Sequence, residues 1–92
     1  MIDKMNIIYA GDFVNGLREG SGNLIKPDGS NYDGGWKKGK QHGYGKRFEA
    51  YGDIFEGEWR QNELHGAGTH IYANGKVYKG SWQFGSKHGY GV

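Results

Sequence analysis

The chain of 92 residues contains no cysteine. That absence removes disulfide staples and thiolate metal sites, and it fits a reducing compartment. Proline is almost as scarce: Pro27 stands alone, in a turn-like stretch where it removes no ladder hydrogen bond. No apolar run approaches the roughly 18 residues that a membrane-spanning helix needs. Met1-Ile2-Asp3-Lys4-Met5 has no signal-peptide pattern, and no segment carries helical periodicity. The net charge of +2 sets up no strong field toward nucleic acid or a membrane. A single small domain, soluble and cytoplasmic, is the expectation.

What the sequence has in abundance is glycine, 19 residues, alongside three Trp, seven Tyr and four Phe. Average usage is about 7% Gly, so this excess without a period would indicate a disordered linker. A period is present. Tyr32-Asp33-Gly34-Gly35-Trp36, running on to His42-Gly43-Tyr44-Gly45, recurs 23 residues later as Phe55-Glu56-Gly57-Glu58-Trp59 running to His65-Gly66-Ala67-Gly68. It recurs again as Tyr78-Lys79-Gly80-Ser81-Trp82 running to His88-Gly89-Tyr90-Gly91. A weaker copy precedes it, Tyr9-Ala10-Gly11-Asp12-Phe13 running to Glu19-Gly20-Ser21-Gly22. The units fall at 9–31, 32–54, 55–77 and, in part, 78–92, as one array over residues 1–92.

Each unit reads as two strands and two turns. Aromatic-x-Gly-x-aromatic with period two puts the two rings and the middle Gly on one face, and residues such as Glu56, Glu58 and Lys79 on the other. The middle Gly leaves a gap that a ring from an adjacent strand can cover. Gly16, Gly39, Asn62 and Gly85 share one position, and Gly exchanged only for Asn marks a backbone site with φ > 0. The second strands are expected to start at Gly20, Gly43, Gly66 and Gly89 and to continue through the apolar position of Ile25, Phe48 and Ile71. Pro27-Asp28-Gly29, Ala50-Tyr51-Gly52 and Ala73-Asn74-Gly75 fit a type I turn followed by a Gly bulge. Asn6 falls where the later units carry Gly29, Gly52 and Gly75. The fold class is therefore all-β, an elongated single-layer antiparallel β-meander of about eight strands with no helix. The fourth unit reaches Val92 as its second strand begins, and an unfinished strand leaves an open edge able to pair with another chain.

The motif Tyr-x-Gly-x-Trp-x-x-Gly-x-x-His-Gly-x-Gly at this period resembles the MORN repeat (membrane occupation and recognition nexus), with Tyr32–Gly45 matching at every position. The departures are Phe13 for Trp, Glu19 for His, Phe55 for Tyr and Asn62 for Gly. The resemblance implies a meander of hairpins with a grooved aromatic face. It also implies a binding or scaffolding role, as in ciliary radial-spoke proteins, junctional membrane proteins, plant phosphoinositide kinases and protozoan cytoskeletal scaffolds.

Four sets of side chains are candidates for chemistry. His42, His65 and His88 share a register, but equivalent atoms two strands apart lie roughly 9–10 Å from one another, too far for zinc ligands at about 2.0–2.1 Å from a shared centre. No metal is expected. The carboxylates lie on the polar face without a nucleophile or paired acid, and the Gly-x-Gly pairs precede no helix, so neither catalysis nor a phosphate-binding cofactor is expected. Lys37, Lys38, Lys40, Lys46 and Arg47 gather five of the twelve basic residues with no acid between them. They form either a solvated edge or a site for acidic lipid headgroups or an acidic partner. Tyr32, Trp36, Phe55, Trp59, Tyr78 and Trp82 form a ladder along one face. Its rings either cover one another or leave a groove for a partner's helix or extended peptide.

The expected function is a non-catalytic scaffold of a cytoskeletal or ciliary axonemal assembly that binds other proteins through the groove and the sheet edges, with no nucleic acid among its partners. On this reading Trp59→Ala weakens partner binding before it unfolds the array. The alternative is a peripheral membrane module that contacts anionic phospholipids through the basic hairpin.

Overall fold

The computed structural model describes residues 5–91. Eight strands follow one another in chain order: β1 (Ile8–Val14), β2 (Leu17–Ile25), β3 (Asn31–Lys37), β4 (Lys40–Phe48), β5 (Ile54–Arg60), β6 (Glu63–Ile71), β7 (Val77–Gln83) and β8 (Ser86–Gly91). They form one open sheet in the order β1 to β8, each pairing antiparallel with its sequence neighbours. The molecule measures 39 × 24 × 15 Å, a single elongated layer without a helix among the described residues. The all-β meander read from the sequence is the fold.

Two kinds of turn alternate. Asn15-Gly16, Lys38-Gly39, Gln61-Asn62 and Phe84-Gly85 are two-residue connections with positive φ at both positions, for example 50° and 81° at Lys38-Gly39. Such primed turns match the right-handed twist of the flanking strands. The second residue of each later turn also donates its N–H to the preceding unit: Gly39 to Arg18 O (2.9 Å), Asn62 to Gln41 O (3.1 Å) and Gly85 to Leu64 O (3.0 Å). The position shared by Gly and Asn is therefore a point where units are stitched together. The other connections are type I turns with a Gly bulge, closed by pairs such as Gly52 N–H to Glu49 O (3.0 Å) and Glu49 N–H to Asp53 O (2.8 Å). Asn6 shares their left-handed conformation, with φ 62° against 92° at Gly29.

The second strands begin at Leu17, Lys40, Glu63 and Ser86, three residues earlier than the sequence reading placed them. A two-residue turn leaves no loop, so pairing starts at once. Gly20, Gly43 and Gly66 lie inside the strands, at φ 75°, 82° and 93°, and mark a bulge there. Between Gly34↔Gly45 and Trp36↔Gln41 the first strand advances two residues while the second advances four. An even shift bends the hairpin without exchanging its faces.

One glycine from every strand joins a continuous row: Gly11, Gly22, Gly34, Gly45, Gly57, Gly68, Gly80 and Gly91 face one another in turn. A methyl at Gly11 would stand 2.5 Å from Gly22 Cα, and one at Gly45 would overlap the hydroxyl of Tyr32. The gap beside Gly11 and Gly34 is thus closed partly by the next backbone and partly by a tyrosine ring, whereas at Gly57 the nearest atoms are all backbone.

Candidate interaction surfaces

The aromatic face is the core. Tyr9, Leu24, Tyr32, Trp36, Trp59, Leu64 and Trp82 are buried and in contact. Their rings meet edge to face: Tyr32 lies 5.2 Å from Trp36 and 5.4 Å from Trp59, and Tyr78 lies 5.7 Å from Trp82. The polar ends of three rings are satisfied by backbone, whereas the buried Trp82 Nε1–H has no partner among the described residues. Trp36 and Trp59 donate Nε1–H to the carbonyls of Gly22 (3.0 Å) and Gly45 (2.9 Å), and Tyr32 donates its hydroxyl to Gly35 O (3.1 Å). Burial pushes the Tyr32 phenol well above its ordinary value. Of the six ladder residues, Phe55 and Tyr78 are half-buried and the other four are buried. Trp59 is 3% exposed, so truncating it acts on the fold first, at about 3–5 kcal/mol for a buried aromatic. This reverses the order of effects expected for Trp59→Ala.

Cations lie over these rings. Arg18 stands over Tyr9 (5.3 Å) and Trp36 (5.4 Å), Arg47 over Phe55 (5.4 Å) and Trp59 (4.7 Å), and Lys87 over Tyr78 (5.1 Å) and Trp82 (5.3 Å). Their alkyl stems and charged heads together roof the aromatic layer. Beside it, Leu24, Lys26, Ser30, Asn31, Tyr32, Gln41, Arg47 and Glu49 line a cavity of about 280 Å³ open to solvent.

The structure separates the five basic residues. Lys37, Lys38 and Lys40 gather at the β3–β4 turn, where they line a cavity of about 370 Å³ with His42, Arg60 and Gln61. Arg60 completes this group from the next unit, and only the strand register brings it there. Glu19 carboxylate accepts the Lys38 N–H at 2.8 Å and holds the turn from the other side. Lys46 lies on the opposite face, directly between Asp33 and Glu56. Arg47 is on the aromatic face, paired with Glu49 at 2.6 Å.

His70 forms a constellation that sequence reasoning passed over. Its ring lies between Phe55 (4.1 Å) and Tyr72 (3.8 Å), with Nε2 at 2.7 Å from Asp53 Oδ2 and Nδ1 at 3.2 Å from Lys87 Nζ. The ammonium can only donate to Nδ1, so Nε2 carries the proton toward the carboxylate. That hydrogen bond holds the Asp53 carboxyl below its ordinary value. Asp53 also accepts the Ala73 N–H at 2.8 Å, so the set ties β6, its following turn and β8 to the turn before β5. The available signal was positional, because His70 occupies the register of Leu24 and Arg47. His65 packs against Phe84 (5.6 Å), and the His88 side chain lies outside the described residues. Among the described residues, no three His, Asp or Glu side chains converge on a metal position.

A one-layer repeat sheet with a self-packed aromatic core, solvated clefts and a basic turn defines a class: a β-repeat interaction module. Within that class, a family model described as MORN repeat matches residues 9–31, 32–48, 55–77 and 78–92, so the chain belongs to the MORN repeat family. Comparison with curated proteins returns no match. Repeats of this family generally mediate protein or membrane-lipid interactions and do not constitute an enzyme family. No described helix is long and apolar enough to cross a membrane.

Proposed function

We propose that the chain is a non-catalytic scaffold of the cytoplasm that binds a helical or extended segment of another protein along its aromatic face. The cavity beside Tyr32 carries this reading. It lies next to the ring row, combines Leu24 with Lys26, Arg47 and Glu49, and opens to solvent. Phe55 and Tyr78, the two half-buried rings of the ladder, extend the same face, and the sheet edges add backbone groups for strand pairing. The cytoskeletal setting, with the ciliary axoneme foremost, rests on where repeats of this kind occur. A photo-crosslinking residue placed at position 78 is expected to yield a discrete protein adduct that the same residue at 79, on the opposite face, does not. Equal adducts from both positions, or none from 78, would remove the groove from consideration.

A second reading is favoured by the cavity of Lys37, Lys38, Lys40 and Arg60. Four cations from two adjacent units around one opening suit an anionic phospholipid headgroup. Co-sedimentation with vesicles rich in anionic lipid should fall with salt and with Lys38→Glu or Arg60→Glu. Binding indifferent to both would exclude it.

A further inference from the structure

The face opposite the aromatic core carries an apolar stripe. Strand pairing brings Ile8, Ile25, Asn31, Phe48, Ile54, Ile71 and Val77 into a single row across seven strands. Only Asn31 interrupts it. Ile8 and Ile25 are 42% exposed and Val77 is 47% exposed, while Phe48, Ile54 and Ile71 are half-buried, covered only by one another and their neighbours in the same layer. On an antiparallel sheet with one face packed, the other face is ordinarily polar. Six large apolar side chains in line on that face depart from the pattern, and a single-layer molecule has no second sheet to cover them.

The neighbouring row points to the occupant. It runs Ala10, Asn23, Asp33, Lys46, Glu56, Thr69, Lys79 across the same strands. Consider a two-fold axis parallel to the strands and midway between β4 and β5. It lays Phe48 over Ile54 of a second copy, Ile25 over Val77, and Lys46 over Glu56. Asp33 then meets Thr69 and Asn23 meets Lys79, so no like charges face each other. Moving the axis onto β4 or β5 would instead oppose Lys46 to Lys46 or Glu56 to Glu56. Of these three positions only the intermediate axis keeps like charges apart, and it leaves Asn31 over Ile71 as the one polar residue facing the stripe. Glu56 is already positioned by the hydroxyl of Tyr44, which donates to its Oε2 from the next row and leaves Oε1 for a further partner. Seven strands at about 4.8 Å and three rows about 6.8 Å apart give a patch of about 34 by 20 Å, on the order of 700 Å² per copy. That is close to the roughly 800 Å² per partner of a standard specific interface. We infer that this face is a homodimer interface, two copies stacking stripe on stripe as an aligned β-sandwich.

Sedimentation equilibrium of the full chain from about 1 to 500 µM tests the inference, because a small interface of this kind is expected to associate with micromolar Kd. Self-association should weaken about tenfold or more in Ile54→Thr/Ile71→Thr, which keeps β-branched side chains on the strands. Val77→Thr, at an exposed end, provides a variant that spares the fold, and thermal melts verify folding of each. Lys46→Glu should weaken the dimer, and Lys46→Glu/Glu56→Lys should restore it. A chain that stays monomeric throughout, or a dimer unaffected by the stripe variants, overturns the proposal. So does a stripe whose loss alters vesicle binding or capture of a different protein while leaving self-association unchanged.

Discussion

At the scale of single residues, the sheet depends on side chains that are missing. A methyl at Gly45 would collide with the Tyr32 hydroxyl and ring, and Tyr32, 1% exposed, has no room to retreat. Gly45→Ala is therefore expected to destabilise by about 1–3 kcal/mol, the range for an overpacked core. A urea midpoint equal to wild type would contradict the packing described. The same approach explains what the sequence could and could not disclose. That the middle glycines make room for rings follows from their period-two placement between aromatics. That Gly22, Gly45 and Gly68 continue the row depends on register, which no single strand encodes. Arg47 shows the limit most clearly: in sequence it adjoins Lys46, but adjacent strand residues face opposite ways, and it roofs Trp59 instead of joining the lysines.

His70 illustrates a related limit, since one histidine without periodic copies carries no signal of its partners. Its hydrogen bond with Asp53 gives a pH prediction. The Asp53 carboxyl is held below the ordinary value of about 3.9 that it resumes on unfolding. Its contribution to stability is thus present above that value and lost as pH falls through the lower folded value. Urea midpoints measured from pH 7 to pH 2 should show a decline on the acid side, and Asp53→Asn should remove part of that decline. An identical acid limb in the variant would show the pair to be energetically silent.

At the scale of elements, the primed turns set the register of each unit. The glycine half of each turn was legible because Asn62 replaces it once. The preceding half was not: Asn15, Lys38, Gln61 and Phe84 share no chemistry, yet all stand at φ near 50°. A long or aromatic side chain there is held in a costly conformation by the ladder on either side. Gln61→Asn places a residue that tolerates this region, and the variant is expected to gain about 0.5 kcal/mol, with a rise of a few degrees in Tm for a domain of this size. Asn62→Gly is expected to bring no such gain, because the Asn62 side chain accepts the Gln41 N–H at 2.8 Å and glycine would release it. Equal responses of the two variants would show that turn conformation alone governs the site.

At the scale of the whole molecule, each strand pairs only with its sequence neighbours and its rings reach no further than the next unit, so stability is carried from unit to unit. Amide exchange should be slowest in β3 to β6, where Tyr32, Trp36, Trp59 and Leu64 lie buried, and fastest in β1, whose Phe13 and Val14 are exposed. Uniform protection from β1 to β8 would mean that the array opens only as a whole. The overall architecture was the most legible level, because a repeat states the same pattern four times. The stripe was legible only in part: the period placed Ile25, Phe48 and Ile71 at one apolar position, but that Ile54 stands between Phe48 and Ile71 depends on strand register.

The even shift at each bulge bears on length. A unit of 23 residues is an odd number, and in a plain strand an odd insertion would turn every later side chain over. Here the two turns and the bulge together return the chain to the same row on the same face, as Gly22, Gly45 and Gly68 show. Adding or deleting one whole repeat would therefore lengthen or shorten the sheet while leaving the core and both of its faces in phase, whereas removal of a single residue from a strand would not.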